Sequence, residues 1–334
     1  MRLAACALLV CSALPAQAYV RSTNGSGKCI WWQSHGHSFQ IDAQGTPDAP
    51  QANTYDAIRK SFQTWAAVSC SDLTFPEEPL STAAGDRKIG YDSGGTNHNL
   101  VLFRTRSCPQ VVPVNDPCLS QGGCGNAYDC WDHGDGVIAT TTTTSKSSTG
   151  EILDSDIEMN DAPASNGTKL TFTAVDGLPC TSPGETGCVR IDVQNTVTHE
   201  AGHTLGLDHT PDPNATMYAS APSGQTSKRV LANDDIQGIC AIYPRGAPTV
   251  TCQGGSTGGC GCSQAQTGPG AGLAALALLL QIRRRSRRRP QPAMSASTKP
   301  ATAARFHSGD TMGRCSVTTV RAPAAFAIGS TSPI

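Results

Sequence analysis

Residues 199–209 read His-Glu-Ala-Gly-His-Thr-Leu-Gly-Leu-Asp-His. His199 and His203 are four residues apart, so on an α-helix both rings lie on one face and can bind the same metal ion. Gly206 has no Cβ, which lets the chain leave the helix with a positive φ and bring His209 back to that ion. Three imidazoles leave the fourth tetrahedral position of a zinc ion open to water, as in catalytic zinc sites. The stretch therefore predicts a zinc site built on a helix.

Glu200 follows the first histidine of this motif. Its carboxylate is placed to take a proton from a zinc-bound water molecule and to pass it to a leaving amine. The shorter pattern His-Glu-x-x-His also occurs by chance, on helices whose histidines belong to the core or to the surface. The eleven-residue form with the glycine and the third histidine is much more specific. The residues thus favour hydrolytic chemistry over an ordinary helix.

Length, charge and cysteine content describe a large exported chain. It has 334 residues, 15 cysteines and a formal net charge of −1, which gives no indication of nucleic-acid binding. Residues 1–18 have the pattern of a secretory signal peptide, with an apolar run followed by Ala16-Gln17-Ala18 as the cleavage site. Disulfides persist in the oxidising compartments that such a signal leads to. We expect a monomer that is secreted or displayed at the cell surface.

The cysteines of the exported part predict cross-linked loops. Cys180 and Cys188 bracket a short loop rich in proline and glycine, and we expect them to pair. An insert at residues 107–131 contains a further set that allows three connectivities, namely Cys108, Cys118, Cys124 and Cys130. Zinc held by these cysteines is the alternative, but the insert has no Cys-x-x-Cys pair and export favours disulfides.

The segments before the zinc motif predict one long helix and a sheet. Residues 53–68 place Ile58, Phe62 and Trp65 at spacings of three and four, which is typical of an amphipathic helix that packs on a sheet. Apolar and β-branched runs predict strands at residues 29–41, 88–91, 100–104, 137–144 and 152–159.

One of these predicted strands carries three acids on the same face, Asp154, Asp156 and Glu158. Carboxylates in such a row repel one another unless solvent or a cation neutralises them. Two interpretations stay open at this point: a structural calcium site, or an acidic face exposed to solvent.

The chain after the acidic strand predicts two more helices and then a change of composition. Asp192 can cap the helix that carries the zinc motif, and Pro244 ends a last helix that starts at Asn233 or Asp234. The later segments are a linker rich in Gly, Ser, Thr and Pro (residues 247–272), a short apolar run with an arginine cluster (273–289) and a tail expected to be disordered (290–334).

The motif, followed by Thr210, by Met217 in Ala-Thr-Met-Tyr and by the closing segment 234–243, resembles the matrixin branch of the metzincin zinc endopeptidases. This resemblance implies an α+β catalytic domain over residues 19–246. The implied fold has a twisted mixed β-sheet, three principal helices and an active-site cleft over the zinc-binding helix.

The resemblance also implies the roles of particular residues. Met217 would be the methionine of the turn beneath the metal, and Glu200 would be the general base. The edge strand at residues 137–143 would pair with the backbone of a polypeptide substrate. The zinc ligands would be His199, His203 and His209.

Three features depart from the family pattern. Threonines follow Val137 where matrixins commonly hold a second zinc through histidines, so we expect one zinc per chain, with calcium as an optional structural ion. The latency sequence Pro-Arg-Cys-Gly is absent, and Cys29 is expected to pair with another cysteine rather than to cap the metal. Residues 260–289 resemble a MYXO-CTERM sorting segment, which implies attachment to the cell surface, although a tail follows it.

These observations together predict a secreted zinc-dependent endopeptidase that hydrolyses peptide bonds by attack of zinc-bound water, with Glu200 as general base. The alternative is a surface binding or adhesion protein that keeps the metzincin fold and its zinc without catalysis. A purely structural site has no use for Glu200, and the residues therefore favour the enzyme.

Overall fold

The architecture is known from a computed structural model, which describes residues 19–252, 317–321 and 326–328. The strands are β1 (Val20–Arg21), β2 (Gln40–Ile41), β3 (Leu100–Arg104), β4 (Val137–Lys146), β5 (Ile152–Asn160), β6 (Phe172–Thr173), β7 (Ile191–Asp192), β8 (Leu207–Asp208), β9 (Ser220–Ala221), β10 (Val317–Arg321) and β11 (Phe326–Ile328). The α-helices are α1 (Gln51–Ala66), α2 (Cys108–Val111), α3 (Cys118–Gln121), α4 (Cys124–Tyr128), α5 (Val193–Thr204) and α6 (Asn233–Ile242).

The main sheet is mixed. Its strand order is β2-β3-β5-β4-β11-β9, and β10 pairs with β4 as well. Strands β2, β3 and β5 are parallel to one another, whereas β4 runs antiparallel to β5. Helices and a mixed sheet in one chain confirm the predicted α+β class.

Helix α1 packs against α5, the helix of the zinc motif. The apolar positions Ile58, Phe62 and Trp65 are buried in the contact, as their helical spacing predicts. The indole Nε1 of Trp65 donates a hydrogen bond of 2.8 Å to the carbonyl of Thr198 in α5. The first long helix thus fixes the helix that carries the histidines.

Two predicted strands differ in the structure. Of residues 29–41, only Gln40 and Ile41 form a strand in the main sheet. Residues 88–91 form no strand, because the side chain of Asn126 bonds both the N–H and the carbonyl of Ile89, at 2.9 and 2.8 Å. A side chain from the insert thus makes the backbone hydrogen bonds that a neighbouring strand would make in a sheet.

The cysteines form cross-links. Cys180 pairs with Cys188, which confirms the predicted loop closure. In the insert the connectivity is Cys108–Cys130 and Cys118–Cys124. Cys29 pairs with Cys252, so it is not available to cap a metal. Cys70, just after α1, pairs with Cys240 in α6.

The segments predicted beyond the domain lie largely outside the described residues. These include the signal peptide (1–18), most of the linker (247–272) and the apolar run with its arginines (273–289). Strands β10 and β11 differ from the disorder expected of residues 290–334, since both pair with β4. A search of the described part of the chain found no helix with the length and apolar character that crossing a membrane requires.

Replacing Trp65 tests the contact between α1 and α5. Trp65→Phe leaves the buried Thr198 carbonyl without its donor and should lower the free energy of unfolding by about 1–3 kcal/mol. Trp65→Ala also opens a cavity and should cost about 3–5 kcal/mol. Urea unfolding measures both. Leu178→Ala, at a side chain that is 82% exposed, is the control and should change stability by less than about 0.5 kcal/mol.

Candidate metal centre

Three histidine side chains converge at the C-terminal end of α5. The Nε2 atom of His209 lies 3.1 Å from Nε2 of His199 and 3.2 Å from Nε2 of His203. His199 and His203 are buried, and His209 lies at the open side of the group. The structure therefore brings together the three residues that the sequence predicted as zinc ligands.

The ends of α5 explain this arrangement. Asp192 caps the helix by accepting a 2.7 Å hydrogen bond from the backbone N–H of Asn195. At the other end Gly206 has φ of 85°, and a Cβ there would lie 2.5 Å from the carbonyl oxygen of Ile30. The turn that this glycine allows directs the chain into β8 and then to His209.

Backbone carbonyls fix the orientation of two of the rings. His199 Nδ1 lies 2.6 Å from the carbonyl oxygen of Thr216, and His203 Nδ1 lies 2.8 Å from that of Leu207. Each Nδ1 therefore carries the proton and donates a hydrogen bond to the carbonyl, so Nε2 is the unprotonated nitrogen, as a metal ligand requires. The fold thus supplies the hydrogen-bond partner that the other ring nitrogen of a metal-binding histidine needs.

Burial also keeps these rings neutral, as metal binding requires. It lowers the pKa of His203 and of His209 to about 4, and it lowers the pKa of His199 well below its usual value. Three neutral imidazoles whose donor atoms lie within 4.8 Å of one another fit a tetrahedral zinc ion. Cys180, Glu185 and Cys188 also lie together, but the two cysteines are joined as a disulfide.

Glu200 is buried beside the histidines. Thr141 in β4 donates a 2.7 Å hydrogen bond to Glu200 Oε2, whereas Oε1 has no hydrogen-bond partner among the described residues. Burial raises the pKa of this carboxyl to about 7, although the bond from Thr141 opposes the shift. The glutamate therefore presents one unpaired oxygen with the proton affinity that a general base needs near neutral pH.

Met217 lies directly beneath the zinc-motif helix. A Cβ on Gly202 would be 2.2 Å from Met217 Sδ and 2.9 Å from Trp65 Cζ2. The glycine between the two helical histidines is thus a packing requirement, because the methionine and the indole occupy the space that a side chain would fill. The role that the resemblance implied for Met217, beneath the metal, stays a prediction.

Sequence reasoning missed the residue that holds this turn. Asp235 in α6 accepts hydrogen bonds from the backbone N–H groups of Thr216 and Met217, at 2.8 and 3.1 Å, and from that of Ala232 at 2.8 Å. In the sequence Asp235 had the pattern of an acid in the first turn of a helix, which is a common position for Asp. Its bond to the backbone of Met217 joins residues 18 positions apart in the sequence, and no local sequence pattern indicates such a contact.

Lys228 was missed as well. Its side chain is buried, and its ammonium group donates to the carbonyl of Tyr218, just after the methionine. Burial lowers the pKa of Lys228 to about 7, against the attraction of Glu200 and Asp235. In the sequence, a single lysine in a polar loop does not indicate a buried ammonium group.

The three acids on β5 are buried, so the solvent-exposed interpretation is wrong. Glu158 accepts a 2.6 Å hydrogen bond from Arg104, and this cation together with His133 holds the pKa of Glu158 below its usual value despite burial. Asp156 accepts from the backbone N–H groups of Gly90 and Leu100, and burial together with Asp154 raises its pKa well above normal. Arg104 therefore neutralises one acid, and only the Asp154–Asp156 pair remains for the calcium hypothesis.

Comparison with known proteins agrees with the geometry. Residues 123–244 match the sequence family described as Matrixin. Similar relatives are matrilysin of Homo sapiens, 48% identical over 46 residues (14% of this chain and 17% of the relative), and matrix metalloproteinase-16 of Homo sapiens, 44% identical over 214 residues (64% and 27%). Macrophage metalloelastase of Oryctolagus cuniculus is 27% identical over 212 residues (64% and 33%). The chain thus covers a third or less of the length of these relatives.

A double-mutant cycle tests the packing of Met217 against the helix. Alanine is the better helix former by about 1 kcal/mol, yet Gly202→Ala should destabilise the protein because the new Cβ displaces the sulfur. Met217→Ala should also destabilise it, by leaving a cavity. The double variant should lose less stability than the two single losses together. Urea unfolding of the metal-free protein measures the cycle, and simple additivity would contradict the contact.

The buried acid pair makes a testable prediction about calcium. The pKa values of Asp154 and Asp156 are raised in the folded protein, so their ionisation opposes folding. Without calcium, the free energy of unfolding should therefore fall as the pH rises above the usual aspartate pKa, until both carboxyl groups are ionised in the folded protein. If the pair binds calcium, the ion should raise the thermal midpoint at pH 7, by roughly 2–4 °C for each kcal/mol of stability that its binding adds.

Asp154→Asn is the matched variant for this test, since the amide keeps the size of the side chain and removes one charge. It should raise the calcium-free midpoint at pH 7 and abolish the response to calcium. A wild-type midpoint that is the same with calcium and with a chelator would contradict the calcium hypothesis. The pH dependence of the calcium-free protein tests only the raised pKa values of the two aspartates.

Proposed function

We propose that this chain, whose residues 123–244 match the Matrixin family, is a zinc-dependent endopeptidase that acts on polypeptides outside the cytoplasm. The observation that carries the proposal is Glu200 Oε1, an unpaired buried carboxylate oxygen beside three converging imidazole nitrogens. A non-catalytic zinc protein on the same fold has no need of such a group, and burying it unpaired costs stability.

The proposed chemistry divides the work among residues of the chain. His199, His203 and His209 would hold the zinc ion, which when bound supplies Lewis-acid polarisation of a water molecule and of the peptide carbonyl. Glu200 would take the proton of the attacking water on Oε1 and deliver it to the leaving amine. Thr141 would be a positioning residue, because its hydroxyl bonds Oε2 and leaves Oε1 as the carboxylate oxygen without a partner among the described residues.

The substrate class follows from the sheet. Strand β4 carries Thr141 and runs beside the metal centre, so a polypeptide that added to its outer edge would bring its backbone to the histidines. Recognition through backbone hydrogen bonds suits protein substrates of varied sequence.

Export is part of the proposal. The disulfides of the described residues tie α1 to α6 and close the insert, which agrees with folding in an oxidising compartment. We propose that residues 1–18 are the signal peptide and that residues 273–289 attach the protein to the cell surface. Both segments lie outside the described residues.

Two variants separate the enzyme from a binding protein. Glu200→Ala should keep about one zinc ion per chain and lose hydrolysis by roughly 10²-fold or more, because the ligands remain and the base is gone. His203→Ala should lose zinc affinity as well. Native mass spectrometry measures the zinc, and cleavage of a denatured protein and a peptide library measures activity.

Matched controls for this experiment lie away from the metal centre. Glu77→Ala removes a carboxylate that bonds Arg59, and His98→Ala removes an imidazole that contacts Glu78. Both should keep zinc and activity. If the zinc-loaded wild type cleaves no protein and no peptide of the library, the proposed activity is wrong and the zinc-containing binding protein is the better description.

A further inference from the structure

The outer edge of β4 is already paired with another part of the same chain. Strand β10 runs antiparallel to β4, from Val317 opposite Lys146 to Arg321 opposite Thr142. Strand β11 continues along the same edge, with Phe326 opposite Ala139 and Ala327 opposite Val137. Residues 317–321 and 326–328, called here the tail strands, therefore pair with both ends of the edge on which a substrate would bind.

Strand β11 has a second partner on its other side. Ala327 and Ile328 pair in parallel with Ser220 and Ala221 of β9. Strand β11 therefore lies between an antiparallel neighbour and a parallel neighbour, and both use its backbone groups, whereas β10 pairs with β4 alone. A strand held from two sides fills a groove, whereas a strand added to an open edge leaves one side free.

Both walls of this groove belong to the metal centre. In β4, Thr141 bonds Glu200 and lies two residues from Ala139, the partner of Phe326. On the other wall, β9 begins at Ser220, shortly after Met217 and after Thr216, whose carbonyl orients His199. An extended chain between β4 and β9 thus passes the proposed base and the proposed zinc ligands.

We infer that the tail strands are an intramolecular occupant of the substrate groove and inhibit the site that they cover. The inference rests on the proposed function, since it concerns the regulation of the same site. A backbone edge offers each N–H and C=O group to one partner strand at a time. A polypeptide substrate can therefore bind β4 only after the tail has left it.

Covalent attachment makes a weak pairing sufficient. A segment of the same chain competes with substrate at an effective concentration that dilution of the protein does not lower. Residues 317–320 read Val-Thr-Thr-Val, and such β-branched residues favour the extended conformation that the pairing needs. Occupancy of nine-tenths would raise the apparent KM about tenfold and leave kcat unchanged, because only the open fraction binds substrate.

Proline substitutions in the full-length, zinc-loaded protein test this inference. Thr319→Pro with Ala327→Pro removes one backbone N–H from each tail strand and disfavours pairing. The matched control is Thr319→Val with Ala327→Val, which keeps the N–H groups and the β-forming character. The proline variant should hydrolyse a peptide substrate with a KM lower by about tenfold and the same kcat, whereas the valine variant should match the wild type.

Hydrogen exchange gives a readout that needs no catalysis. In the wild type and the valine variant, the β4 amides directed to the tail should be protected, and in the proline variant they should exchange faster. A synthetic peptide of residues 316–328 should bind the proline variant in fluorescence polarisation, and a scrambled peptide should not. Equal KM values and equal exchange in the proline and valine variants would overturn the inference.

The two proposals fail in different ways. If no variant hydrolyses any substrate but the β4 amides are protected only when the tail can pair, the proposed activity is wrong and the occupied groove stands. If the proline and valine variants are equally active and bind no added tail peptide, the endopeptidase stands and the tail has no inhibitory role.

Discussion

The structure depends on one constraint, which is that helix α5 buries two imidazoles and a carboxylate. Each of these polar groups needs a partner, because leaving a buried donor or acceptor unpaired costs about 1–3 kcal/mol. Thr216, Leu207 and Thr141 provide those partners from three different parts of the chain. The Met217 turn, β8 and β4 are therefore held near α5 by hydrogen bonds to its buried side chains, and Oε1 of the carboxylate is left without a partner among the described residues.

A second layer of contacts holds these partners in turn. Asp235 fixes the backbone of Thr216 and Met217, and Lys228 bonds the carbonyl of Tyr218. Both side chains are ionisable and buried, so the charged form of each is expensive to desolvate and needs fixed dipoles around it. Such residues orient a ligand without touching the metal, and their loss disturbs the site through geometry.

Local patterns predicted the centre of the site well. The spacing of His199, His203 and His209 and the positive-φ glycine suffice to bring the three imidazoles together, because helix geometry and one turn determine their positions. The helix carrying Trp65 followed from periodicity for the same reason.

Other elements depend on contacts between distant residues, which a single sequence does not display. Asn126 replaces the strand expected at Ile89, and Arg104 neutralises an acid for which the sequence left calcium and solvent as the alternatives. Strands β10 and β11 lie in a segment of low periodicity, and they form because an unpaired edge is available elsewhere in the fold. In each case the deciding partner is more than 30 residues away.

The disulfide between Cys70 and Cys240 links the support of the Met217 turn to the redox environment in which the chain folds. Cys240 lies on the same helix as Asp235, and the bond ties that helix to the segment after α1. A bond of this kind typically contributes about 2–5 kcal/mol, and it cannot persist where thiols are kept reduced. If the chain is exported as proposed, this bond would form only after it has left the reducing cytoplasm, and α6, whose Asp235 holds the Met217 turn, would be tied to the segment after α1 only there.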